Sequence, residues 1–433
     1  MDMGILMKNN IYNKLKNLYK LNKKYFYYKK TKNDLYKLKN FLKKELLRDN
    51  QKLLFKYLNN NLLINSKSLP INNNKLFKSL FPIDAIILFF INGKIDKNLS
   101  NINNKYYNIH INLYNDIHYS NFFKKDIYHY LSESFTKENV IININNIKKI
   151  KFKKPLYIVY FNDKNKKNEI AIFNYRNFIY IKNTFSTIIE HHINTDKSYI
   201  NNIYNTFIID NNSKLEHYTF ITNYNNNNNN NFCSISNEFI LYDNVLYKKE
   251  DILMSNQYIN QNNNFCFLGE KTKLIYNSLL FSKNSNIINV NNYLEHNKKN
   301  SCSVQLHKTI TLDQSIINLI GLLKINKYAM KTNGQLNYSS LLLNKLSRVN
   351  IQPNLDILND NVKCTHSVFT GRIDYNQIFF LKTRGISFKK AYSLLLMSFI
   401  LDSLNEISNN IIKNEILKKI SFYLSVENFI NEF

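Results

Sequence analysis

At 433 residues the chain has room for two or three domains of about 150 residues each, which excludes a lone small module. Hydrophobic residues make up 44% and charged residues 21%, so the sequence folds around a core rather than staying disordered. The net charge of +28 accompanies an excess of Asn, Lys, Ile and Tyr with only 7 Gly, 4 Pro and no Trp; that bias follows AT-rich codons, and the charge alone does not single out nucleic acid as a partner.

Residues 5 to 66 place Leu15, Leu18, Tyr19 and Leu21, then Phe41, Leu46, Leu47, Leu53, Leu54 and Tyr57, at helix-like spacing among lysines. This predicts two or three basic helices in an N-terminal region spanning 1–84. Its lysines would neutralise phosphates on a nucleic acid, and otherwise form a solvated helix face. The chain does not open on the compact apolar stretch of a secretory signal and matches an Arg- and Ser-rich transit peptide only loosely, so a targeting segment is expected to be absent or removed.

Between about 85 and 372 short apolar runs alternate with Asn- and Lys-rich breaks, as at Ile86 to Ile91, Pro155 to Phe161, Phe178 to Ile181 and Phe207 to Ile209. These read as strands, too many for one sandwich, and a barrel, two sheets or a β-solenoid all fit. The longest apolar run, Ala85 to Ile91, is too short for a bilayer span, so no transmembrane helix is expected. Asn225 to Asn231 form a low-complexity run expected to be a loop insertion.

The segment 373–433 returns to helix. Gly385 and Ser387 precede Phe388, Ala391, Tyr392, Leu394, Leu395, Leu396, Met397, Phe399, Ile400, Leu401 and Leu404, apolar over more than one face, so this helix needs two partners. A following stripe of Ile412, Ile416, Ile420 and Tyr423 is expected to cover one side of it.

Gly93-Lys94 stands without a second glycine five residues away, so no P-loop is present and the chain is not itself an ATPase. GxGxxG, GxSxG and HExxH are also absent, which removes the usual signals of dinucleotide binding, α/β-hydrolase chemistry and zincin proteolysis. Cys233, Cys266, Cys302 and Cys364 lie far apart with no CxxC, against a disulfide framework or zinc ribbon and in keeping with a reducing compartment. Glu190, His191, His192 and Asp196 carry metal-ligating groups, but adjacent histidines on a strand point to opposite faces. Cys364 and His366, two apart, would share one face and present sulfur and imidazole together. On the residues alone a buried cysteine beside a hydrogen-bonded histidine is the simpler reading.

The segment 361–384, NVKCTHSVFTGRIDYNQIFFLKTR, followed by Gly385-Ile386, closely resembles the C-terminal signature of the SufB/SufD family of iron–sulfur cluster assembly proteins. The resemblance continues upstream through Ser340 to Leu343, Arg348-Val349, Gln352-Pro353 and Leu355-Asp356-Ile357. Tyr293 to His296 with Ser301 and Lys308, Lys214 to Tyr218, Arg176-Asn177 with Ile188 to His191, and Phe89 to Gly93 fall in family order. SufB-like members carry a Cys-Asp-Ser triplet where this chain has Tyr338-Ser339-Ser340, and SufD-like members carry Cys-Thr/Ser-His, here Cys364-Thr365-His366. The chain is therefore similar to the SufD side of the family, with two departures: Ser367 replaces the usual glycine, and Asn300 stands where a histidine is often found.

The resemblance implies a mainly β protein with flanking α, its right-handed parallel β-helix core (85–372) lying between helical regions 1–84 and 373–433. It further implies a non-enzymatic scaffold subunit paired with a SufB-like paralogue, with a SufC-like ATPase docked through Arg384, Gly385, Ile386, Tyr392, Leu395, Leu396 and Phe399. On this view His366 becomes a ligand for a transient iron–sulfur cluster or iron at the SufB interface, Cys364 its packing neighbour, and no nucleotide binds this chain. A plastid-type organelle such as the apicoplast is the implied location, with the cytosol as alternative. A divergent SufB-type scaffold and a basic nucleic-acid-binding protein are the competing readings; the first lacks the cysteine at Tyr338, and the second explains nothing after residue 85.

Overall fold

The computed structural model describes residues 80–104, 107–112, 125–136, 138–145, 154–162, 170–194, 199–223, 231–254 and 258–424, with isolated positions before residue 80 and at 123. The strands begin with β1 (Leu62–Ile64), β2 (Ile86–Ile91), β3 (Lys94–Ile95), β4 (Asn108–Asn112) and, after helix α1 (Ile127–Phe135), β5 (Asn139–Asn145) and β6 (Leu156–Phe161). The middle of the chain forms β7 (Ile170–Lys182), β8 (Phe185–Asn194), β9 (Tyr199–Ile209), β10 (Lys214–Asn223), β11 (Phe232–Leu241), β12 (Leu246–Met254) and β13 (Tyr258–Phe267). Then come β14 (Lys273–Ser282), β15 (Ile287–His296), β16 (Cys302–Thr311), β17 (Ile316–Ile325), β18 (Asn333–Leu342), β19 (Arg348–Ile357) and β20 (Lys363–Gly371). Helices α2 (Tyr375–Thr383), α3 (Phe388–Ser403) and α4 (Asn410–Tyr423) follow.

Odd strands β5 to β19 stack in one sheet and even strands β6 to β20 in the other, each strand parallel to its neighbours. The chain thus crosses between two sheets at every turn and winds a parallel β-solenoid of about seven turns. Parallel strands covered on both faces lose the alternation of a half-exposed sheet, and all eleven residues of β9 are buried.

The turns explain how a chain with so few glycines can bend this often. A left-handed residue occurs at Asn183, Asn212, Asn244, Asn284 and Asn300, and asparagine tolerates that conformation better than other side chains.

Asparagine also builds the interior. Asn177, Asn205, Asn237, Asn263 and Asn292 occupy one register on successive turns, and each amide nitrogen donates to the next carbonyl oxygen at 2.8, 3.1, 2.9 and 3.1 Å. This ladder satisfies buried amides turn by turn among the aromatic and aliphatic side chains of the lumen.

A second apolar core lies outside the even sheet. Ile189, Phe220, Ile252, Leu279, Phe281 and Ile310 meet Leu396, Met397, Ile400, Ile412, Ile416 and Ile420, so both α3 and α4 lay their stripes on the sheet. Helix α3 thus shares one core with the α4 stripe and also lies against β14 and β16, so the rest of the chain supplies its second partner.

The helices expected over residues 5 to 66 fall almost wholly outside the described residues. Within that span Leu62–Ile64 is a strand, not a helix; it pairs with the start of β7, a stretch of edge that β5 leaves open. The expected asparagine loop lies outside the described residues except Asn231, which immediately precedes β11, is buried and accepts from the Tyr199 amide at 3.0 Å. Among the described residues no helix is long and apolar enough to cross a membrane.

Candidate functional site at the open end of the solenoid

The two ends of the solenoid differ. At the start, β3 and β4 turn back antiparallel on β2 and β5. At the other end β19 and β20 are the last strands of their sheets, and their residues are half-buried or exposed where inner strands are buried. Pro353 sits in β19, a place proline tolerates because an edge strand leaves part of its ladder unused. Ile357, Leu358, Val368 and Phe369 are exposed large apolar residues on or beside these edges.

Register fixes which way the signature residues face. Cys364 pairs with Gly334 and His366 with Leu336, both on the lumen side, so sulfur and imidazole share one face as their spacing suggested. Gly334 leaves room for the lumen side chain of Leu323, whose Cδ2 would lie 2.4 Å from a Cβ there, and its Cys364 neighbour sits at ordinary contact distance. Cys364 is half-buried against the lumen core, and burial pushes its thiol up, which keeps it protonated. His366 is exposed. Ser367, where the family pattern has glycine, remains in the strand and donates from Oγ to Asn337 Oδ1 at 2.7 Å.

Tyr338, at the position of the missing cysteine, is a packing residue. Its ring stacks on His307 at 5.2 Å, and its hydroxyl fills the space beside Gly321, where a Cβ would come within 2.0 Å. A buried phenol held well above its usual range by desolvation offers no nucleophile there.

The Glu190 to His192 cluster divides as the strand geometry requires. Glu190 and His192 face the lumen, and His191 faces outward between Tyr157 and Thr222, bonded at 2.7 and 2.8 Å; Asp196 lies outside the described residues. Glu190 accepts from His217 Nε2 at 2.9 Å, which leaves His217 Nδ1 to accept from the Tyr247 hydroxyl at 2.9 Å. Burial raises the Glu190 carboxyl, but the His217 hydrogen bond and the nearby His192 and Lys249 outweigh it and hold the group below its ordinary value. Among the described residues no group of three or more His, Cys, Asp or Glu is arranged to hold a metal ion. His366 and Cys364 therefore need ligands from elsewhere to close a site.

Beyond β20, α2 ends in a left-handed turn. The Ile386 N–H reaches the Leu381 carbonyl at 3.2 Å and the Gly385 N–H the Lys382 carbonyl at 3.0 Å, with Gly385 at φ 83°. This is the 6→1 and 5→2 pattern that seals a helix end, and Ser387 then caps α3 through Lys390 N. Arg384 is exposed and stacks over Phe380 at 4.5 Å; Ile386, Tyr392, Leu395 and Phe399 are half-buried. Leu396 corrects the sequence expectation: it is buried in the core against the even sheet and presents nothing to a partner. The sequence reading missed Tyr375, Phe379 and Phe380, all exposed, and placed Phe388, also exposed, only in the apolar helix run; only Ile378 of α2 is buried. For Phe379 and Phe380 the signal was the unbroken Ile-Phe-Phe-Leu run, which is apolar on faces that a buried helix of this length would not need.

A family model described as SUF system FeS cluster assembly, SufBD core domain, matches residues 163–399, over half of the chain. The chain belongs to this SufBD family of iron–sulfur cluster assembly proteins. Within it the chain is SufD-like: it is 28% identical over 269 residues to the iron–sulfur cluster assembly protein SufD of Escherichia coli (strain K12), covering 62% of this chain and 63% of that one. It is 36% identical over 115 residues to protein ABCI7, chloroplastic, of Arabidopsis thaliana, or 26% of this chain and 24% of the relative. It is 30% identical over 132 residues to the SufBD family protein ycf24 of Antithamnion sp., 30% and 44% of the two chains. The chain spans less than two thirds of the length of each of these relatives.

Proposed function

We propose that this chain is the non-ATPase, SufD-type subunit of a SUF complex, pairing with a SufB-like paralogue through β19 and β20 and anchoring a SufC-like ATPase on α2 and α3. The observation that carries the reading is the pair of unclosed, apolar edge strands at one end, beside two helices with exposed aromatic residues. Unpaired strand edges of this kind invite a second chain, and aromatic residues dominate buried anchors at protein interfaces. In this role 1–84, 85–372 and 373–433 act as N-terminal, core and docking regions.

The nascent cluster is the complex's substrate. His366 would supply one neutral imidazole ligand and SufB the rest, with Cys364 a packing neighbour, which fits a chain that brings too few ligands of its own. ATP binding in SufC would strain the SufB–SufD pair through the docked helices and expose this site. With no P-loop of its own, the chain serves as scaffold and lever. A plastid-type organelle, the apicoplast being one, is the proposed location, supported by the chloroplastic name of one relative and by the AT-driven composition.

The test is co-expression with SufB-like and SufC-like proteins from the same source, followed by size-exclusion chromatography and an ATPase assay. One stable complex in which this chain raises SufC turnover supports the reading. A chain that elutes alone and leaves turnover unchanged refutes it.

A further inference from the structure

The interface between the even sheet and α3 is mostly apolar, and apolar contact resists separation but has no direction, so it does not by itself transmit a sideways push. One polar contact breaks the pattern. Lys308, on the outer face of β16 and almost fully buried, donates from Nζ to the Phe399 carbonyl at 2.8 Å, pairs with Asp402 Oδ2 at 2.6 Å, and lies over the Phe399 ring at 4.5 Å. It thus binds backbone, charge and ring of a single turn of α3. Lys248 with Glu406 at 2.6 Å, and Glu216 with Ser408 at 2.8 Å, hold only the segment that follows α3.

Lys308 is also close to the candidate site along the ladder. It pairs with Ser339 of β18, which pairs with Phe369 of β20, and the neighbouring Thr309 donates to Ser340 Oγ at 2.8 Å. A displacement of α3 therefore reaches the strand bearing His366 across one intervening strand.

We propose that Lys308 is a positioning residue that couples movement of α3 to the open end of the solenoid, so that work done on the docked helix reaches the His366 face. The inference rests on the docking reading above. Lys308 touches no substrate; it acts through Phe399 and Asp402.

The experiment uses the full chain in a reconstituted complex with SufB-like and SufC-like partners, reading complex formation, ATP hydrolysis and clusters formed per ATP. Lys308→Met keeps the aliphatic stem and is expected to preserve complex and hydrolysis while lowering clusters per ATP about fivefold or more, the lower range of coupling between sites. Lys308→Arg, which keeps charge and donors, is expected to restore most of that ratio. An unchanged ratio in Lys308→Met overturns the proposal. Asp402→Asn, at an exposed carboxylate and therefore expected to fold, covers the case in which Lys308→Met does not fold: it must lower the same ratio, and an unchanged ratio again overturns the proposal. If the unmutated chain binds no SufC, the docking reading fails and the coupling with it, a result seen before any variant is made.

Discussion

Histidines occupy two opposite environments in this chain. His192, His296 and His307 are fully buried and face the lumen, where desolvation lowers them to about 4, 3 and 3. Their folded-state values lie below the ordinary 6.5, so between pH 6.5 and about 4 the unfolded chain takes up protons that the folded chain refuses. Stability from this source is complete above pH 6.5 and falls as pH drops, by about 1.4 kcal/mol per pH unit for each histidine in the window. Thermal melts should show the midpoint steady from pH 8 to 7 and dropping steeply from 6 to 4.5; a flat profile across both ranges contradicts it. His366 differs in being exposed, so His366→Ala should leave melting and complex formation intact and reduce cluster assembly. Assembly at the unmutated rate would remove its ligand role. The common face of Cys364 and His366 was legible from a two-residue spacing, because strand geometry alone decides it. The burial of Leu396 was not, because an all-round apolar helix does not reveal which face meets the sheet.

At the scale of elements, the asparagine ladder turns an apparent compositional accident into a structural part. Asn237→Ala would leave the Asn263 carbonyl without its partner inside the lumen, at about 1–3 kcal/mol, while the Asn205 amide would keep its bond to Glu190 Oε1. Asn350→Ala, at the exposed end of an outer row where Asn350 donates to Asn318 at 2.6 Å, should change stability by less than about 0.5 kcal/mol. Urea titration of both variants checks the contrast, and equal losses would mean the ladder holds no special role. This part of the fold could not be read from the sequence, since the ladder's bonds join residues 28, 32, 26 and 29 apart, while strand signals extend over fewer than ten positions. Strands themselves were legible, as at Ile86 to Ile91, because short apolar runs with breaks survive any arrangement of the sheets. Their winding as a solenoid came only through family resemblance. The helices proposed for docking carry the other prediction at this scale: on that reading Leu395→Glu should release SufC, since Leu395 is half-buried on α3 outside the core that holds Leu396, and should leave the solenoid folded. Retained SufC binding in a pull-down would move that interface elsewhere.

For the whole molecule the asymmetry of the two ends limits what it can assemble into. A solenoid open at both ends would stack head to tail without limit, as heterologous contacts that do not close give filaments. Among the described residues the chain turns back at one end in the β2–β3 and β4–β5 antiparallel pairs, whereas at the other end β19 and β20 finish their sheets as parallel edge strands placed to accept a partner. If the proposed SufB-like partner likewise has one open end, the two chains would use up both edges on meeting and growth would stop at a pair. Phe369, exposed on β20 and paired with Ser339 behind it, is placed to test this. Phe369→Asp should put an unpaired charge in the contact and weaken SufB binding by about 30-fold or more, the loss expected at an interface anchor. Because the side chain is exposed in the lone chain, melting of the isolated subunit should move little. Titration of SufB onto the variant, with light scattering on the unmutated mixture, reads both parts. Wild-type affinity in the variant, or scattering that keeps rising past a one-to-one complex, would show that the open end is not where the two chains meet.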